Sequence, residues 1–279
     1  MTTTTPPPTT LWYVYGIVPA GLTAASLPNG LDDAAVSLER DGGVAALVSR
    51  LDASGYAPDV IERNSADVEW LSPRAVAHDR VLTWASDHGS GAVVPLPMFS
   101  VFSGPDAVRS MLRDRAPQLT SALERVGRGR EYALRVYRVD SELLDVIATL
   151  SPRLEQLASS AASASPGQRY LLERKLEGQK RAELRAVTQD VVEEIVSELS
   201  TNAIETVRSP IPRMTEAEQA AGRGTMVLNG AFLVAPERLE AFQKTLTALI
   251  GRRGSQGFRF DFTGPWPPYH FAHTSADDD

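Results

Sequence analysis

The chain has 279 residues, 43% of them hydrophobic and 23% charged, with a formal net charge of -7 and no cysteine. That length and composition suit one large globular domain or two ordinary ones with a substantial core. The acidic balance argues against unassisted binding to nucleic acid or an anionic membrane, and the lack of thiols excludes disulfides, thiolate zinc sites and cysteine nucleophiles.

The start, MTTTTPPPTT, has neither a basic region nor an apolar one and reads as a disordered leader, residues 1–10, rather than a secretory signal. The longest apolar stretches, near Val93–Phe102 and Met226–Val234, fall far short of the roughly 20 residues that span a bilayer. A cytoplasmic protein is expected. Leu11–Val18, LWYVYGIV, reads as a buried strand ended by Pro19. Val36–Arg40 and Val44–Leu51 flank Asp41-Gly42-Gly43, a hairpin signal because glycine tolerates positive φ. Between about Pro73 and Asp87 the apolar residues recur at helical spacing, and His88-Gly89 closes that helix. Ala92–Leu96 reads as a short strand. Asp106–Val126 is helical again, with a kink or two consecutive helices at Pro117, and Glu131–Val139 alternates into a strand. The first domain, residues 11–140, is thus expected to be α+β, with helices covering one face of a sheet.

Residues 141–168 read as a helix to about Leu157 followed by a flexible linker, the small-residue run Ser159–Gln168. Tyr170–Leu199 is the longest helical pattern. Ala203–Arg208 and Met226–Val234 are strands, Pro236 opens a helix running to about Ile250, and Gly257–Phe262 is a last strand with Phe258, Phe260 and Phe262 on one face. If the Tyr132–Val139 strand joins them, residues 169–262 take the order βαββαβ of a ferredoxin-like domain. A tail, residues 263–279, follows.

The titratable residues compose no complete active site. His270 and His273 form an i,i+3 pair, but Pro267 and Pro268 oppose the helix that chelation would need. Asp87-His88-Gly89-Ser90 holds the residue types of a catalytic triad, yet sequential neighbours rarely converge as a triad must, and a helix end followed by a turn is the plainer reading. The glycine pairs Gly222/Gly224 and Gly251/Gly254 lack phosphate-loop spacing, and the glutamates of the long helix alternate with Lys and Arg as on a solvated face. No catalytic residue, cofactor, metal or small-molecule substrate is expected. The least ordinary stretch is Gly257–His273, GFRFDFTGPWPPYHFAH, with a Trp, a Tyr and four Phe among three prolines. Trp266, Tyr269, His270 and Phe271 are the candidate residues, either strapping the tail over the chain's own second domain or anchoring a partner. Rigid aromatics lose little entropy in either role.

Phe262–Phe271, FTGPWPPYHF, resembles the C-terminal signature of the gas vesicle protein F/L family, a final strand running into Thr/Ser-Gly-Pro-Trp-Pro-Pro-Tyr-Asn/His-Phe. LWYVYGIV is similar to that family's opening strand, His78–Leu96 with its VVPL to a helix and following strand, YLLERKL (Tyr170–Leu176) to the start of its long helix, and LNGAFLV (Leu228–Val234) to a later strand. These matches run in order over nearly the whole chain. One departure stands out: Pro97-Met98-Phe99-Ser100 replaces a segment of Arg-Phe-Gly-Thr type. The resemblance implies two α+β domains, the second a modified ferredoxin-like fold with an extended tail. It further implies an accessory or minor structural protein, not an enzyme, with the small hydrophobic shell protein (GvpA type) as its partner and other gas vesicle accessory proteins as further candidates. Such a protein would limit shell-protein aggregation while the vesicle nucleates. A small-molecule-binding regulator, or an enzyme with a polar pocket between the domains, is the alternative.

Overall fold

A computed structural model describes residues 9–23, 26–213 and 222–272; most of the expected leader, and His273 with the residues after it, lie outside the described residues. The fold is mixed α+β with two antiparallel sheets. The chain divides into two compact units: unit 1 is built up to Glu131 and again from Pro265, and unit 2 is Tyr132–Gly264.

In unit 1 the LWYVYGIV run is β1 (Thr10–Pro19), and the expected hairpin is β2 (Val36–Asp41) and β3 (Val44–Asp52), turning at Gly42 with φ 59°. β1 pairs antiparallel with β3 along its length, with an irregularity between Val14 and Gly16. Its other edge holds two short strands, β4 (Val94–Pro95) and β5 (Val101–Phe102), so the apolar run Ala92–Leu96 forms only two residues of strand. Two short helices, α1 (Ala53–Tyr56) and α2 (Pro58–Asn64), lead to α3 (Val68–Asp87). The Asp67 carboxylate accepts from the Glu69 and Trp70 N–H groups, which starts α3 before Pro73 and carries that proline inside the helix. Pro117 separates α4 (Pro105–Asp114) from α5 (Ala116–Val126), sitting in the first turn of α5 where its missing N–H costs nothing.

The helices cover both faces of this sheet, not one. Tyr13, Tyr15, Ala45 and Leu47 pack with Ala77, Val81, Leu82 and Ala85 of α3. The alternate strand residues Val44, Ala46 and Val48 are equally buried, and α4 and α5 pack on β3 and β1. A strand as continuously apolar as β3 needs cover on both sides. The free edge of β2 is held by α4, through Arg109–Glu39 and Arg113–Asp41 ion pairs, both 2.7 Å.

Unit 2 holds β6 (Arg130–Arg138) from Tyr132 on, α6 (Asp140–Val146), α7 (Pro152–Ser163), α8 (Pro166–Ser200), β7 (Glu205–Arg208), β8 (Thr225–Val234), α9 (Leu239–Arg253) and β9 (Phe258–Trp266) as far as Gly264, with sheet order β7-β8-β6-β9. Leu134, Val136, Leu228, Phe232 and Phe258 meet Val191, Ile195 and Leu199 of α8 and Phe242 and Leu246 of α9; Phe260 and Phe262 pack at the margin. Each such side chain contributes about 1.5–3 kcal/mol by leaving water. The expected linker is nearly absent: α7 runs to Ser163 and α8 starts at Pro166, leaving Ala164 and Ser165. Alanine is the best helix former and proline is accepted in a first turn, so this composition reads as helix as readily as hinge. β9 continues through Pro265 to Trp266 rather than stopping before the prolines, which an edge strand allows.

Candidate functional site

The described end of the tail docks on unit 1, not on unit 2 as a strap over the second domain would. Pro267 and Pro268 are buried, and the peptide turns on itself: Tyr269 N–H donates to the Pro267 carbonyl at 2.7 Å and Phe271 N–H to that of Pro268 at 3.2 Å. The Tyr269 hydroxyl donates to Asp79 Oδ1 of α3 at 2.8 Å. Burial, together with the Asp79 carboxylate, pushes that phenol well above its ordinary range. The His270 backbone N–H donates to Glu131 Oε2 at 2.9 Å, and His270 Nδ1 lies 2.7 Å from Glu131 Oε1. Glu131 is 2% exposed, and its hydrogen bond raises the imidazole pKa. Arg125 Nη2 of α5 donates to the Phe271 carbonyl at 2.7 Å, and the Phe271 ring is 1% exposed. Trp266, at the end of β9, is 41% exposed.

Beside the docked tail is a cleft of about 890 Å³ at the β4–β5 edge of the sheet. Its lining includes His78 and Asp79 of α3, Met111 of α4, Leu119 of α5, Leu96 and Met98 beside β4, and Tyr269 of the tail. The wall is largely apolar, and methionine supplies side chains that adapt to irregular apolar shapes. The Pro97–Ser100 segment is the bridge between β4 and β5. Phe99 takes φ 66°, a strained value for a bulky residue, and is held by stacking on Trp70 at 5.3 Å and by its N–H on the Tyr13 hydroxyl at 3.3 Å. His78 is 3% exposed with Nδ1 2.7 Å from that same hydroxyl; burial holds its pKa at about 4, so the imidazole is neutral.

The triad types do not converge. His88 ends α3, its Nδ1 2.7 Å from the Trp84 carbonyl and its ring stacked on the Trp84 indole. Of the histidine pair, His270 is engaged by Glu131 and His273 lies outside the described residues.

The comparisons with known proteins bear on this arrangement. Residues 11–273 match the family model described as "Gas vesicle synthesis protein GvpL/GvpF". The chain belongs to the GvpL/GvpF family. It is 27% identical to gas vesicle protein L of Streptomyces sp. (strain CB03234), over 96% of this chain and 95% of that one. Its fold is similar to the crystal structure of gas vesicle protein GvpF from Microcystis aeruginosa, with TM-score 0.65 at 21% identity over 94% and 99% of the two chains. The GvpF structure from Anabaena sp. PCC7120 gives TM-score 0.68 at 19% identity, over 95% and 97%. In this GvpL/GvpF chain the structure gathers three of the four sequence candidates, Tyr269, His270 and Phe271, on one surface. It adds three partners that sequence reading missed: Asp79, Arg125 and Glu131. Of these, only Glu131 left a trace in the sequence, as a carboxylate opening an otherwise apolar strand.

Proposed function

We propose that this chain is an accessory or minor structural protein of gas vesicle assembly that binds the small hydrophobic shell protein and limits its aggregation during nucleation. The observation that carries this reading is the open apolar cleft at the sheet edge of unit 1. A shell subunit held in water must cover apolar segments, and a methionine-bearing cleft offers them a place without demanding one shape. The net charge of -7 keeps the carrier itself soluble. The protein then works in the cytoplasm and at the vesicle, without a catalytic step.

Within the same reading unit 2 is a modified ferredoxin-like domain. The succession β6, α8, β7, β8, α9, β9 with sheet order β7-β8-β6-β9 supports that assignment, α6 and α7 being the additions.

Co-expression with the shell protein tests the function. The expected result is that the shell protein stays soluble and co-purifies, and that Met98→Asp with Met111→Lys abolishes both effects while the fold persists. Failure of the unmodified chain either to co-purify or to change shell-protein solubility would falsify the reading. The cleft's volume also lies within the range of small-molecule sites, so a metabolite-induced rise in melting temperature without shell-protein binding would favour a ligand-binding regulator instead.

A further inference from the structure

We propose that the surface under Tyr269, His270 and Phe271 is a peptide-recognition groove, filled in cis by the chain's own tail and open in trans to the same segment of a second copy. The groove is shaped for a short aromatic peptide. Asp79 accepts from a tyrosine hydroxyl, Glu131 from a histidine N–H and imidazole, Arg125 grips the next carbonyl, and the phenylalanine ring is enclosed at 1% exposure. Glu131 carries much of the weight. With the tail docked, its carboxylate is 2% exposed and both of its oxygens are taken up by His270, so the charge is buried with its partners in place.

The ligand, for its part, is a self-contained piece. Its two turn hydrogen bonds lie within residues 267–271, and its prolines restrict it before docking, so little ordering is left to do on binding. The residues leading into it, 263–266, are exposed, and Gly264 takes φ 122°, where only glycine bends freely. A second copy presents an identical segment to an identical groove. Cis and exchanged forms then differ in connectivity, not in contacts. The short connection gives the cis form an effective concentration of about millimolar, so exchange shows itself where the cis tail is defective or the protein is crowded. This inference does not depend on shell-protein binding.

The test mixes two full-length variants. Phe271→Ala keeps the groove but has a defective tail; Asp79→Asn/Glu131→Gln keeps the tail but has a defective groove. Analytical ultracentrifugation should show each as a monomer alone and a 1:1 complex on mixing. The wild-type chain, whose tail is held in cis, should bind Phe271→Ala at least tenfold more weakly. A fluorescent synthetic peptide of residues 264–272 should bind Phe271→Ala, and at least tenfold more weakly when Glu131→Gln is added. If Phe271→Ala does not melt cooperatively, Tyr269→Ala/His270→Ala, which removes half-exposed or exposed side chains, replaces it. Two folded variants that stay monomeric together at several hundred micromolar, or a peptide that fails to bind the folded acceptor, overturn the proposal.

Discussion

His78 and His270 both sit in unit 1 and titrate in opposite senses. Burial holds His78 at about 4 against an ordinary 6.5, so between those pH values the unfolded chain takes up a proton that the folded chain refuses. Stability therefore falls as pH drops from 6.5 towards 4, by about 3 kcal/mol over that window. Thermal melts across this range should show an acid limb that His78→Gln flattens. The His270 pKa is raised by Glu131, so its contribution is fully present below the ordinary histidine value and is lost as pH rises through the folded one. His270 is 41% exposed, which leaves solvent to screen much of that contribution. An NMR titration should place the His270 midpoint above the ordinary histidine range, and Glu131→Gln should bring it down. Truncating the fully buried ring in Phe271→Ala should cost about 3–5 kcal/mol, while Trp266→Ala should cost far less; urea unfolding would separate the two. The sequence marks both residues only as aromatic. How deeply each is buried depends on residues far away in the chain.

Among the elements, β1 tolerates little change at Gly16. A Cβ there would lie 2.8 Å from both the Leu82 side chain of α3 and the Val94 carbonyl of β4. Gly16→Val should therefore cost about 1–3 kcal/mol through overpacking, read as a lowered urea midpoint. Helix α8 is anchored unevenly. Its buried residues begin at Val187, whereas Tyr170 and Leu171 near its start are 63% and 66% exposed. Amide hydrogen exchange should be slow from Val187 to Leu199 and progressively faster towards Pro166, and uniform protection along the helix would contradict this account. The regular elements were legible because period and turn chemistry agree at LWYVYGIV, Asp41-Gly42-Gly43 and Pro117. The Ser159–Gln168 stretch was misread because its Ser and Pro-Gly residues look like loop while its alanines favour helix, and packing of α7 against α8 decides the matter. The cover on both faces of the first sheet was missed although the unalternating apolar run of β3 is its mark, because no local pattern shows that α4 and α5 return to pack on β3 and β1.

For the molecule as a whole, an apolar cleft on an acidic protein sets the salt response of its proposed complex. Contact through Leu96, Met98, Phe102 and Met111 should survive half-molar salt, at which unit charges are screened beyond a few ångströms. Dissociation from the shell protein on adding salt would place the interaction on charged surface instead. Family membership was legible from the Trp-Pro-Pro-Tyr tail, because prolines and large aromatics in fixed order are rare outside a specific docking task. The cleft was not legible. Its lining comes from α3 and from α4 and α5, which cover opposite faces of the sheet, and no local pattern announces that they meet at one edge.

The docked tail also has a consequence for biosynthesis. Unit 1 draws its last residues from the far side of unit 2 in chain order, so the ribosome must make all of Tyr132–Gly264 before Phe271 exists. At about 5–20 residues per second that delay is on the order of ten seconds. Throughout it, a nascent unit 1 has Glu131 without its tail partner, and the proposed exchange would let a tail already finished on a neighbouring chain of the same polysome arrive first.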